Sequence, residues 1–184
     1  LLLDLRSSYE MKDRAATVKA LEALVQHYPQ PKYWEDLLTN QLYLTKGDRE
    51  MRALYRLMDD TRTLDKAEEY SEMASVLVTG GYPTEAKGIL ERGMSANLFQ
   101  GDARTRAESE LARARSGAEA DRKELPGAAQ ALAAAKTGNE MVSLGKLYFS
   151  VGDHAKAAEA IQKGLAKGGV TDADDANALL GIAL

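Results

Sequence analysis

The chain has 184 residues, 45% of them hydrophobic and 28% charged, with a formal net charge of −4 and a sequence pI near 5.3. That balance belongs to a folded protein of one large or two small domains, and it argues against nucleic acid as partner, since phosphate binding needs a concentrated basic surface. The absence of cysteine excludes disulfides and thiolate metal sites and leaves the compartment open.

The first residue is Leu1 rather than Met, so the sequence reads as a processed form or a piece of a longer protein. Leu1-Leu2-Leu3 is too short, and too soon followed by Asp4 and Arg6, to be a signal core or a membrane span. Leu1, Leu2, Leu5 and Tyr9 form one helical stripe; Ala16, Ala20, Leu21, Leu24 and Val25 form a second. Tyr28-Pro29-Gln30-Pro31 ends it, because a residue preceding proline is pushed out of the helical region. Pro31 then opens a helix with Trp34, Leu37, Leu38, Gln41 and Leu42 on one face, and Trp34 reads as a core residue. Gly47-Asp48 supplies a left-handed stop followed by an N-cap, and Met51, Ala53, Leu54, Leu57 and Met58 continue into the next helix.

A clearer helix pair follows, with Tyr70, Met73, Ala74 and Leu77 before Gly80-Gly81 and Ala86, Leu90 and Gly93 after it. Residues 102–124 carry as many acidic as basic side chains and form no basic patch. They have two readings. One is a single long, charge-laced helix. The other is a degenerate helix pair with Leu111-Ala112 on the first helix, a turn near Gly117 to Asp121, a capping box at Asp121 and Glu124, and Ala128, Ala131 and Leu132 facing inward. The second is preferred, because Ala112 falls about midway between Ala74 and Gly145.

The stretch 138–171 is the best-formed unit. Leu144, Gly145, Tyr148, Gly152, Ala157, Ile161 and Gly164 fall at the spacings of a repeat with a period of about 34 residues. Gly168-Gly169 closes it, and Asp172, Asp174 and Asp175 load the first turn of a last helix. Asn177, Leu180, Gly181 and Leu184 restart the pattern, which leads to the expectation of a covering helix beyond Leu184. Gly145, Ala74, Ala112 and Gly181 are read as the small residues at which the two helices of a unit cross, with Ala157 and Ala86 serving the second helix.

On these residues the chain resembles the tetratricopeptide repeat family. The resemblance implies an all-α, right-handed superhelical solenoid of antiparallel helix pairs, about ten to eleven helices in a single domain over 1–184, with approximate repeats 1–30 (partial), 31–66, 67–104, 105–137 (degenerate), 138–173 and 174–184 (partial). The stretches 28–37 and 167–184, with the repeat array between them, further resemble bacterial periplasmic repeat proteins associated with TonB-type systems, which implies export and a partner at or near an envelope energy-transducing complex.

The family implies a groove lined by exposed positions of the first helices. Here these are Glu35, Thr39 and Leu42; Ser71, Ser75 and Val78; Ser109, Arg113 and Ser116; and Val142, Lys146 and Phe149. The paired Lys and Asn with which some relatives hold a terminal carboxylate are replaced by Glu35 and Thr39, Ser71 and Ser75, then Val142 and Lys146, so a chaperone-tail binder is not expected. Phe149 is a candidate peptide anchor or, equally, a cover for a neighbouring helix.

Chemistry is not expected. His27 and His154 read as helix-terminus residues, the aspartates near 172 lack the glycine and glutamate of a calcium loop, and no nucleophile elbow, P-loop or dinucleotide fingerprint occurs. The expected function is therefore a non-enzymatic scaffold, without cofactor or metal, that binds a protein or peptide. The alternative is an assembly or oligomerisation domain of a larger enzyme or secretion complex. A lytic-enzyme-like solenoid would need a catalytic glutamate in a cleft, and none stands out.

Overall fold

A computed structural model describes residues 1–184. The chain is all-α, with ten helices packed in consecutive pairs and no strand, the helical-repeat architecture that the periodicity implies. It divides into two compact units, Leu1–Glu69 and Tyr70–Leu184.

The first unit holds α1 (Leu2–Glu10), α2 (Arg14–His27), α3 (Pro31–Leu44) and α4 (Asp48–Asp60). Leu5, Val18, Leu21, Leu24, Val25 and Leu37 form its main core, with Tyr33 and Trp34 packed against it, which gives Trp34 the expected packing role. The Asp13 carboxylate accepts from the Ala16 amide at 3.0 Å and starts α2. Two buried hydroxyls are satisfied between α1 and α2: Ser8 donates to the Leu5 carbonyl, and Thr17 Oγ1 lies 3.0 Å from Ser8 Oγ. Two expectations change here. Of the first stripe only Leu5 is buried, while Leu1, Leu2 and Tyr9 are exposed. Gly47 is not a left-handed stop; it is the extended N-cap of α4, at φ −95°, and Asp48 is the first helical residue, where its charge favours the helix start.

The second unit contains α5 (Ala67–Gly80) from Tyr70 onward, α6 (Pro83–Ser95), α7 (Gly101–Ala134), α8 (Gly138–Ser150), α9 (His154–Lys167) and α10 (Ala173–Ala183). The α5–α6 and α8–α9 turns pass through Gly81 and Gly152, whose φ values of 87° and 84° belong to the left-handed region that glycine enters without strain. Close approach explains three other glycines. A Cβ on Gly93 would stand 2.7 Å from the Phe99 ring and 2.9 Å from that of Tyr70; one on Gly145 would stand 2.5 Å from Ile161 Cγ1; one on Gly164 would meet the Gly138 carbonyl at 2.7 Å. The crossing expected at Gly145 is therefore present, and fully buried Ala157 and Ile161 fill the volume around it. Asn139 fixes the end of this unit by exchanging two hydrogen bonds with Thr171, at 2.7 and 2.8 Å.

The degenerate pair is corrected. Residues 101–134 form one continuous helix of 34 residues, about 51 Å long. Its inward positions run Ala107, Leu111, Ala114, Ala118, Asp121, Leu125, Ala128 and Leu132, in alternating steps of four and three. That 3.5-residue seam passes straight through the supposed turn, so breaking the helix at Gly117 would uncover the seam on both sides. Gly117 serves close packing instead, since a Cβ there would meet the Pro83 ring at 2.7 Å. Ala112 and Ala131, expected inside, are exposed. Gly181 also lies at no crossing, because a Cβ on it would meet nothing within 4 Å.

Candidate functional site

The groove residues expected from sequence separate into three groups. On α3, Glu35 is exposed and Thr39 and Leu42 are half-buried. On α5 and α7, Ser75, Val78 and Arg113 come together with Ala74, Thr79 and Glu110 around a crevice of about 30 Å³. Ser71 is half-buried one turn before Ser75, while Ser109 and Ser116 are exposed on α7. On α8, Val142 and Phe149 are only 5% and 7% exposed, so they offer a ligand almost no surface.

The α8 set is therefore packing. Phe149 meets Tyr82 edge-on, with ring centroids 6.0 Å apart, and His154 edge-on at 4.9 Å. It covers the starts of α6 and α9, the second of its two expected roles. Lys146 is also engaged: its Nζ donates to Asp175 at 2.6 Å and lies 5.8 Å from the centre of the Tyr82 ring. The physical reason is placement on the helix. Four consecutive residues, Leu147 to Ser150, are buried because α7, α9 and the α6 start close around the end of α8.

The α5–α7 crevice has different chemistry. Glu110 Oε2 is withdrawn from water and has no hydrogen-bond partner. Burial raises the pKa of this carboxyl above its usual value, against the opposing pull of Arg113 and Arg106. Ser75 and Arg113 are exposed at the crevice mouth. The crevice brings a hydroxyl, a guanidinium and a carboxylate along one face of two helices.

A second and larger cleft, of about 770 Å³, lies on another side of α7, against the start of α6 and the α8–α9 turn. Ala118, Leu125 and Val151 contribute its apolar surface, and Lys87, Arg115, Arg122 and Lys123 its positive charge. This site was missed because a signed count over 102–124 cancels to zero. The signal was the spacing: Arg115, Glu119, Arg122 and Lys123 stand at i, i+4, i+7 and i+8 and share one helical face, on which cations outnumber anions.

His27 is the last residue of α2 and His154 the first of α9, and Asp172 accepts from the Asp175 amide at 3.0 Å as the cap of α10. No group of three or more His, Cys, Asp or Glu side chains is arranged to hold a metal ion, and no helix is long and apolar enough to cross a membrane. No family model matches the chain, and neither the curated proteins nor the solved structures provide a match.

Proposed function

We propose that this chain is a non-enzymatic scaffold of the tetratricopeptide-repeat kind that receives an extended peptide or a partner helix on the face made by α5 and α7. The observation that supports it is the partnerless Glu110 Oε2 at the crevice where Ser75 and Arg113 converge. A buried acceptor without a partner costs about 1–3 kcal/mol, which favours a turn of the Glu110 carboxylate toward the crevice to meet a ligand N–H. Flanking Ser75 and Arg113 supply further polar contacts, and Val78 an apolar one. The resemblance of 28–37 and 167–184 to periplasmic repeat proteins supports an envelope location and a partner in an energy-transducing complex.

A displayed random-peptide library selected on the protein tests the reading. Peptides enriched on the wild type are expected to bind Ser75→Tyr and Arg113→Glu at least tenfold more weakly. Both side chains are exposed, so both variants are expected to fold, with Arg113→Glu slightly less stable because it trades the attraction between Arg113 and Glu110 for repulsion. Failure to enrich any peptide, or equal affinity for all three proteins, overturns the proposal.

A further inference from the structure

We infer that the 770 Å³ cleft beside α6, α7 and the α8–α9 turn is a second binding surface, built for an acidic segment of a partner protein that also carries an apolar side chain. The inference goes beyond the α5–α7 reading. Arg122 lies nine residues after Arg113 on the same helix, about two and a half turns, so the two side chains leave α7 in opposite directions.

The charges in the cleft do not balance. Lys123 pairs with Glu119 at 3.0 Å, and Asp153 pairs with Lys156 at 2.7 Å, so these four groups cancel. Arg115 and Lys87 share one carboxylate, that of Glu91, at 2.9 and 3.8 Å. Arg122 makes no ion pair or hydrogen bond. Two positive charges therefore stand uncompensated at one cleft of a protein whose net charge is −4.

The existing pairs are exposed, and such pairs contribute little in water. A ligand carboxylate can therefore take Arg115 or Lys87 from Glu91 without disturbing the fold, and a second can meet Arg122. The apolar surface of Ala118, Leu125 and Val151 lies among these cations, so a peptide alternating acidic and apolar residues satisfies both. A nucleic-acid strand fits less well: Glu119 and Asp153 interrupt the positive surface, and a phosphate backbone needs a continuous cationic track.

The probe is a labelled decapeptide alternating Asp or Glu with Leu, followed by fluorescence anisotropy. Binding is expected at about 50 mM salt, weakening severalfold at about 300 mM as the charges are screened. The double variant K87E/R122E is expected to weaken it at least tenfold, and R122Q alone by a smaller factor, with melting temperatures unchanged. S75Y and R113E are expected to leave it unaltered. A Lys–Leu decapeptide, a short thymidine oligonucleotide and vesicles of phosphatidylglycerol and phosphatidylcholine serve as competitors of other chemistry. No binding of the acidic peptide at low salt, equal binding by K87E/R122E, or tighter binding of the oligonucleotide or vesicles overturns the inference. Loss of acidic-peptide binding in S75Y or R113E would also overturn it, by making the two faces one site. Failure of the library selection with acidic-peptide binding intact would sink only the α5–α7 reading.

Discussion

The α8–α9 pair and the α7 helix solve the same packing problem in opposite ways. In the pair, two short helices approach until backbone meets backbone. A Cβ on Gly138 would strike the carbonyls of Gly164 and Gly168, and one on Gly164 would lie 2.8 Å from Val142 Cγ2 and 3.1 Å from the Val142 amide nitrogen. In α7, a single helix of 34 residues lays a seam of mostly alanine and leucine against α6 and α8 and keeps most of its charges outside, Asp121 in the seam being met by the Ser150 hydroxyl. The pair gains stability from closeness at a few points. The long helix gains it from repetition of a modest contact. Substitutions should consequently be sharply position-dependent in the pair and mild along α7.

The largest effect is expected at Gly145. Leucine there places a whole side chain where Ile161 Cγ1 already lies 2.5 Å from a bare Cβ and the Ala157 carbonyl 3.2 Å away. Overpacking in a closed crossing costs about 1–3 kcal/mol, and contact with a backbone carbonyl puts this case at the upper end. Urea unfolding of Gly145→Leu should show a markedly lower midpoint. A midpoint equal to that of the wild type would show that the pair is not held by this crossing.

The opposite sign is expected at Pro126 and Gly127. Pro126 sits 25 residues into α7, lacks the amide that would bond the Arg122 carbonyl, and crowds that carbonyl with its ring. Gly127 has nothing within 4 Å of where a Cβ would stand. Pro126→Ala should stabilise by about 1–3 kcal/mol and Gly127→Ala by about 0.5–1 kcal/mol. If either variant instead lowers the midpoint, the helix depends on a bend at this point and the seam is not continuous in solution.

The same contrast explains what could be read from the residues alone. The α8–α9 pair was legible because glycine is the only residue that allows such approaches, so Gly145 and Gly164 announce a crossing by identity. The α7 helix was misread because its evidence is distributed. Gly117, Asp121 and Pro126 each signal a turn locally, while the seam that overrides them appears only when positions 107 to 132 are followed together. The candidate sites divide likewise. Ser75 and Arg113 line one crevice; Val142, read as a groove residue, is buried, and Phe149 takes the covering one of its two expected roles, against Tyr82 and His154. The basic cleft escaped because total charge carries no information about which side of a helix bears it.

The smallest expected effect lies at the junction of the two regions, where α7 ends and α8 begins. Thr137 Oγ1 accepts from the Glu140 amide at 3.2 Å, and the Glu140 carboxylate reaches back to accept from the amides of Thr137 and Lys136 at 3.2 and 2.6 Å. Loss of the threonine cap in Thr137→Ala should cost about 1 kcal/mol. The carboxylate adds a pH signature. Its bonds to the Lys136 and Thr137 amides favour the charged form and hold its pKa below the ordinary value of 4.5. A carboxyl whose pKa is lower folded than unfolded stabilises the fold fully above its unfolded value, and that contribution disappears as pH falls through the folded one. Glu140→Gln keeps an acceptor oxygen but not the charge. It should be less stable than the wild type at neutral pH, and the difference should shrink as the pH is lowered through the range below 4.5. A difference independent of pH would mean that the hydrogen-bond geometry of Glu140, and not its charge, secures the start of α8.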